Sequence, residues 1–132
     1  MDISHIEHIG IAVRCIDDHL PYYENVLGLK CCNIEEVVDQ KVKTAFFKVG
    51  QTKIELLEPT SEESPVAKFI EKKGEGVHHI AFAVPDVAQS LAEVESKNIR
   101  LIDKTPRCGA EGLQIAFLHP KSTGSVLTEL CQ

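Results

Sequence analysis

Two stretches of the sequence, residues 7–13 and 78–84, alternate between small or polar positions and larger apolar positions. This period of two predicts β-strands, with opposite faces for the two sets of side chains. One face of each strand carries a histidine followed by small residues: His8, Gly10 and Ala12 in one, His79, Ala81 and Ala83 in the other. Because small side chains leave space beside a histidine, this pattern predicts a pocket at both strands.

After the first strand, the pattern predicts one helix and three further strands. Apolar residues recur at helical spacing between an N-cap at Asp17 and Asp18 and a stop at Gly28. The predicted strands are 29–38, 42–49 and 52–57. A connecting helix follows, with Ser64 as its cap and Gly74 as its end.

The rest of the chain repeats this order of elements. Asp86 caps a second long helix, and the predicted strands that follow are 99–103, 113–118 and 125–131. His8 and His79 are 71 residues apart, and the later pair Glu55 and Glu129 is 74 residues apart, which fits a three-residue insertion in the last turn. The fold class is therefore α+β with two tandem βαβββ units, an internal repeat.

Length and composition predict one soluble domain over residues 1–132, with repeats at about 4–60 and 76–131 and a connecting helix at about 64–74. The net charge of −6 argues against a nucleic-acid partner. We see neither a signal peptide nor a membrane-spanning stretch, and five cysteines without a C-x-x-C motif suit free thiols. We therefore expect a cytoplasmic protein that acts on a small molecule.

The repeat pairs two histidines with two glutamates: His8 with His79, and Glu55 with Glu129. If equivalent strands of the two repeats face one another, these four side chains converge into a mixed nitrogen and oxygen site. Such a site suits one divalent ion of Zn, Co, Ni or Mn. Taken singly, each residue also fits a hydrogen-bonded histidine or a solvated glutamate, but four repeat-equivalent positions favour a metal site.

Several segments resemble the methylmalonyl-CoA epimerase family of the vicinal oxygen chelate (glyoxalase, bleomycin resistance and dioxygenase) superfamily. These segments are HIGIAV at 8–13, GQTKIELLEP at 50–59, SPVAKF at 64–69, GVHHIAF at 76–82 and HPKSTG at 119–124. The resemblance covers almost the whole chain. It implies a glyoxalase-like fold, in which the two βαβββ units form a cupped, mostly antiparallel sheet of eight strands.

The resemblance also implies the chemistry. A divalent metal would be bound by His8, Glu55, His79 and Glu129, in a homodimer that acts on an acyl-CoA. The reaction would invert C2 of methylmalonyl-CoA by proton abstraction alpha to the thioester, through a metal-stabilised enolate. Glu129 is the first candidate for acid/base catalysis. The alternatives are a glyoxalase I-type lactoylglutathione lyase and a metal-free protein that sequesters a ligand.

Inversion of a carbon centre needs a second acid/base group on the opposite face. In at least one family member this group is a glutamate at the position of Thr44, which cannot act as a base. Glu55 is therefore the second catalytic candidate here. Lys104, Arg107 and Lys121 could form a basic patch for the phosphates of CoA, or they are solvated surface charges.

Overall fold

The computed structural model describes residues 1–132, which form eight β-strands, three α-helices and short 3-10 and π-helical turns. The strands are β1 (His5–Ala12), β2 (Cys31–Val37), β3 (Val42–Val49), β4 (Thr52–Pro59), β5 (Gly76–Ala83), β6 (Arg107–Cys108), β7 (Gln114–Leu118) and β8 (Thr128–Cys131). The helices are α1 (Ile16–Leu20), α2 (Pro65–Lys73) and α3 (Val87–Ser96). None of the helices is both long enough and apolar enough to span a bilayer.

Hydrogen bonding orders the strands β2-β3-β4-β1-β5-β8-β7-β6 within one sheet. β5 and β8 run parallel, whereas β2–β3, β3–β4, β6–β7 and β7–β8 are antiparallel pairs. The α+β class and the mostly antiparallel sheet of eight strands are therefore confirmed.

The chain divides into two compact units. Unit 1 consists of residues 1–8 and 79–132, and unit 2 of residues 9–78. In unit 1, α3 buries Val87, Leu91 and Val94 against residues of β7 and β8. In unit 2, α2 buries Val66 and Ile70 against residues of β1, β3 and β4. Each helix buries one apolar face of the kind that its sequence period predicts.

Two of the three predicted helix caps are present. The Ser64 side chain accepts a hydrogen bond from the backbone N–H of Val66, and the Asp86 side chain accepts one from Gln89 N–H. Each hydroxyl or carboxylate oxygen thereby satisfies an N–H group that has no partner within the first helical turn.

Two predicted elements differ in the structure. The helix expected after an N-cap at Asp17 and Asp18 begins earlier, at Ile16, and gives way to a π-helical turn at Pro21–Val26. The predicted cap is wrong: both aspartates lie in the first helical turn, and the cap position is Cys15, which makes no side-chain cap hydrogen bond. Pro21 has no N–H to donate within a regular α-helix, which explains the change of winding there. The strand predicted at 99–103 is wrong: only Leu101 forms a bridge, because the N–H groups of Ile102 and Asp103 both donate to the Phe117 carbonyl.

Candidate metal centre

Strand register places a glutamate and an aromatic ring side by side in unit 1. Glu129 of β8 lies opposite Phe117 of the antiparallel β7 and beside Ala81 of the parallel β5. Because directly paired residues project from the same face of a sheet, Glu129, Phe117 and Ala81 share one face. His79, two residues before Ala81 on β5, points to that face as well.

Three side chains of unit 1 converge on this face. His8 Nε2 lies 3.0 Å from His79 Nε2 and 3.4 Å from Glu129 Oε2, and His79 Nε2 lies 3.3 Å from Glu129 Oε1. All three residues are at least 95% buried. The structure therefore brings together three of the four predicted metal-binding residues.

The donor atoms have spacings that suit a bound cation. Ligand atoms at about 2.1 Å from an ion, with angles between octahedral and tetrahedral, are roughly 3.0 to 3.4 Å apart. The three observed distances, 3.0, 3.3 and 3.4 Å, fall in this range. Two imidazoles and one carboxylate are also ligands that zinc and cobalt accept. Both the geometry and the chemistry of the triad fit a divalent metal.

The pKa values of His8 and Glu129 show how charge is distributed in the site. Burial by itself would lower the pKa of His8, but hydrogen bonds with Cys131, Glu129 and Glu7 raise that pKa to about 12. Burial would raise the pKa of Glu129, but its hydrogen bond and charge interaction with His8 hold the pKa below its usual value. The groups around His8 thus favour a positive charge beside the Glu129 carboxylate, here the charge of a proton on the His8 ring.

Glu55 is buried on β4 in unit 2, where it pairs with Phe46 of β3. A buried carboxylate needs polar partners, and Glu55 does have an interaction within the chain. Its role as a fourth metal ligand or as a catalytic group stays a prediction. Thr44, two residues before Phe46 on β3, is 1% exposed and offers no carboxylate.

Sequence reasoning missed two groups that contact the triad. The Glu7 carboxylate lies 2.7 Å from His8 Nδ1, and the Cys131 thiol donates a hydrogen bond of 3.0 Å to Glu129 Oε2. Cys131 could have been found, because it follows Glu129 by two residues on the same strand face. Glu7 could not, because strand alternation directs it away from its neighbour His8.

The predicted space beside two of the small residues is filled. Ala12 and Ala81 are both 0% exposed. Ala12 packs in an apolar cluster with Val42 and Leu57, and Ala81 in another with Ile115 and Cys131. Small side chains at these positions let neighbouring strands and helices pack closely, so the expected clearance is wrong for these two alanines.

Comparison with known proteins places the chain among a defined group. A model of the Glyoxalase/Bleomycin resistance protein/Dioxygenase superfamily matches residues 7–117. The uncharacterized protein YqjC of Bacillus subtilis is 48% identical over 130 residues, which cover 98% of this chain and 93% of that protein. The mitochondrial methylmalonyl-CoA epimerase of Dictyostelium discoideum is 37% identical over 129 residues, covering 97% of this chain and 78% of that protein.

A solved structure adds to these relatives. Streptomyces coelicolor methylmalonyl-CoA epimerase, as a single-residue variant in complex with 2-nitronate-propionyl-CoA, superposes with a TM-score of 0.95 at 40% identity. The match covers 98% of this chain and 94% of that one. The predicted glyoxalase-like fold is thereby confirmed.

Proposed function

We propose, from the premise that the chain belongs to the Glyoxalase/Bleomycin resistance protein/Dioxygenase superfamily, that it is a metal-dependent epimerase of methylmalonyl-CoA. The observation that carries the proposal is the buried triad of His8, His79 and Glu129, whose donor atoms are 3.0 to 3.4 Å apart. Two relatives that this chain matches over almost its whole length are named methylmalonyl-CoA epimerases, which supports the choice of substrate.

His8, His79 and Glu129 would hold one divalent ion, with Glu55 as the proposed fourth ligand. When bound, the ion supplies Lewis-acid stabilisation of the negative charge that develops on the thioester oxygen. Glu7 has a distinct part: as acceptor of a hydrogen bond from Nδ1–H of His8, it would make Nε2 the nitrogen that binds the ion. The Cys131 thiol, in turn, orients one oxygen of Glu129.

Glu129 would remove the C2 proton from one face of the substrate and return it there. The proton is acidic for a carbon acid because a thioester and a carboxylate flank it, and its loss leaves an enolate. Inversion requires delivery of a proton to the other face, and Glu55 is the proposed donor. Burial of both carboxylates excludes bulk water, which strengthens their interaction with charge in the substrate.

The proposal is tested by incubating zinc- or cobalt-loaded protein with one epimer of methylmalonyl-CoA in deuterated water. We expect deuterium to enter C2 while the second epimer accumulates, as followed by proton NMR and chiral analysis. The matched control is His79→Ala, which should do neither. If no tested metal supports exchange at C2, the proposal is wrong. Turnover of methylglyoxal with glutathione would instead support a lactoylglutathione lyase.

The homodimer that the resemblance implies, and the cytoplasmic location expected from the sequence, are part of the same proposal. Light scattering coupled to gel filtration would measure the mass in solution, with twice the chain mass of 14.6 kDa as the expected result. A mass of one chain would contradict the dimer and leave the catalytic proposal intact, because the three converging ligands come from a single chain.

A further inference from the structure

One arginine of unit 1 lies on the same sheet face as the triad. In the register of β6, β7 and β8, Arg107 lies opposite Ile115, and Ile115 lies opposite Cys131. Phe117 and Glu129 form the next pair on this face of β7 and β8. Arg107, whose guanidinium is always charged, therefore lies on β6 at the edge of the sheet face that carries Glu129.

The guanidinium group of Arg107 is held in a defined position. Its Nε lies 3.2 Å from Asp103 Oδ1, while Asp103 Oδ2 accepts a hydrogen bond of 2.8 Å from the Phe117 N–H. The Arg107 Cζ is 5.5 Å from the centroid of the Phe117 ring, and that centroid is in turn 5.5 Å from the centroid of His79. One ring therefore separates the guanidinium from a ligand of the triad.

The backbone next to Arg107 is also fixed. Gly109 lies so close to Ile115 that an added Cβ would come within 2.9 Å of that side chain, and its N–H donates to the Leu113 carbonyl. Movement of Gly109 away from β7 would break these contacts. The backbone near Arg107 is therefore held in place, as its guanidinium is.

The far side of the Arg107 guanidinium, opposite Asp103, carries the hydrogen-bond donors that a ligand could use. Asp103 contacts Nε, so its ion pair does not involve the two terminal amino groups of Arg107, and the side chain is 44% exposed. Two parallel N–H groups in a fixed plane match the two oxygens of a carboxylate or a phosphate. Lys104 and Lys121, the other residues of the predicted basic patch, are exposed and have no comparable anchor.

We propose that Arg107 is the residue that recognises an oxyanion of the substrate, with Asp103 and Phe117 holding its guanidinium in place. The inference rests on the proposed function, because it is an acyl-CoA that supplies the oxyanion. Two sources share this chemistry: the carboxylate of the acyl group and the phosphates of CoA. Glu129 cannot take this role, because an anion needs hydrogen-bond donors and a carboxylate offers none.

The experiment measures binding by calorimetry to metal-loaded protein, with methylmalonyl-CoA and propionyl-CoA as probes. Propionyl-CoA keeps every phosphate but lacks the acyl carboxylate. For Arg107→Gln we expect about 10- to 100-fold weaker binding of methylmalonyl-CoA, the usual loss on removing a charge-assisted hydrogen bond. Arg107→Lys keeps the charge without the planar fork and should lose less. Arg100→Gln, at an exposed position, removes the same charge and should bind like wild type.

Each outcome decides the inference. Weaker binding of methylmalonyl-CoA alone assigns the carboxylate as the ligand of Arg107, and equal weakening of both thioesters assigns the phosphates. Unchanged binding in Arg107→Gln, or an equal loss in Arg100→Gln, overturns the inference. If wild-type protein binds methylmalonyl-CoA but catalyses no exchange at C2, the proposed function is wrong and the inference about Arg107 still stands. If wild-type protein binds neither thioester, both the proposed function and the inference about Arg107 are wrong.

Discussion

The two glutamate-bearing strands, β4 and β8, share one plan of strand pairing. Glu55 lies opposite Phe46 on the antiparallel neighbour β3, and Glu129 lies opposite Phe117 on the antiparallel neighbour β7. Both phenylalanines carry a cation above the ring, Lys53 in the first case and Arg107 in the second, at 5.6 and 5.5 Å from the centroids. The internal repeat thus extends from the sequence to the register and to ring contacts.

The two strands differ in the polar groups around each glutamate. Glu129 accepts a hydrogen bond from Cys131, whereas the equivalent position after Glu55 is Leu57, which packs in an apolar cluster. Arg107 is anchored by Asp103, whereas Lys53 extends from β4 itself. A duplicated backbone plan has therefore kept its ring packing in both halves, while the thiol of Cys131 beside Glu129 corresponds to the apolar Leu57 beside Glu55. The variants below test how far this asymmetry reaches into function.

The largest expected effect is loss of metal. His8→Ala and His79→Ala each remove one of the three converging side chains proposed to bind the ion, so bound zinc or cobalt should fall below a tenth of the wild-type content. Elemental analysis of purified protein measures this directly. His78→Ala is the matched control, because His78 packs edge-on against Phe69 in unit 2, at 4.9 Å between centroids. Full metal content in both triad variants would contradict the site.

The next effect separates the two glutamates. Glu129→Gln should lower kcat by about 10³-fold, the usual contribution of a general acid/base group, and abolish exchange at C2. Glu55→Gln should stop inversion but leave deuterium exchange into one epimer, because Glu129 can still remove and return the proton on its own face. Circular dichroism would verify folding of both. If Glu55→Gln inverts C2 at the normal rate, Glu55 is not the second base.

A smaller effect is expected at Cys131. Replacing it by alanine removes the hydrogen bond to Glu129, and the loss of about 1 kcal/mol of orientation corresponds to a fall in kcat of roughly fivefold. Cys131→Ser restores a donor in nearly the same place and should recover most of the rate. Steady-state kinetics at constant metal occupancy would measure both. Equal rates for alanine and serine would show that the thiol acts only through packing.

The smallest effect is predicted for Lys53. Glutamine at this half-buried position removes the cation above Phe46, an interaction worth about 0.5 to 2 kcal/mol. We expect a fall in stability of that order, measured by urea unfolding, and a change of less than twofold in kcat and KM. A rise in KM as large as the loss of binding expected for Arg107→Gln, about 10- to 100-fold, would remove the distinction between the two cations.

The sequence predicted the parts of this molecule that depend on periodicity and repetition. Alternation at His8 and His79 located β1 and β5, and the repeat spacing added Glu129. The caps at Ser64 and Asp86 were also predictable, because a cap acts on the N–H groups next to it in the chain.

Contacts that depend on register across strands were out of reach of the sequence. The approach of Arg107 to Phe117 follows from the pairing of β6 with β7, and a strand of two residues has no readable pattern. The contact of Glu7 with His8 was not predicted, because strand alternation directs adjacent side chains to opposite faces. The missing strand at 99–103 has a similar cause: two N–H groups share one carbonyl there, which side-chain patterns do not reveal.

The composition of unit 1 has a consequence for the order of events during synthesis. His8 comes early in the chain, His79 follows 71 residues later, and Glu129 comes in the last strand. A nascent chain that ends before Glu129 lacks one of the three side chains, so capture of an ion by all three would have to wait for the translation of β8. From then on, the ion would join distant segments as a crosslink does, and its binding free energy would oppose unfolding. Metal supply would therefore govern the lifetime of the folded protein in the cell as well as its catalytic rate.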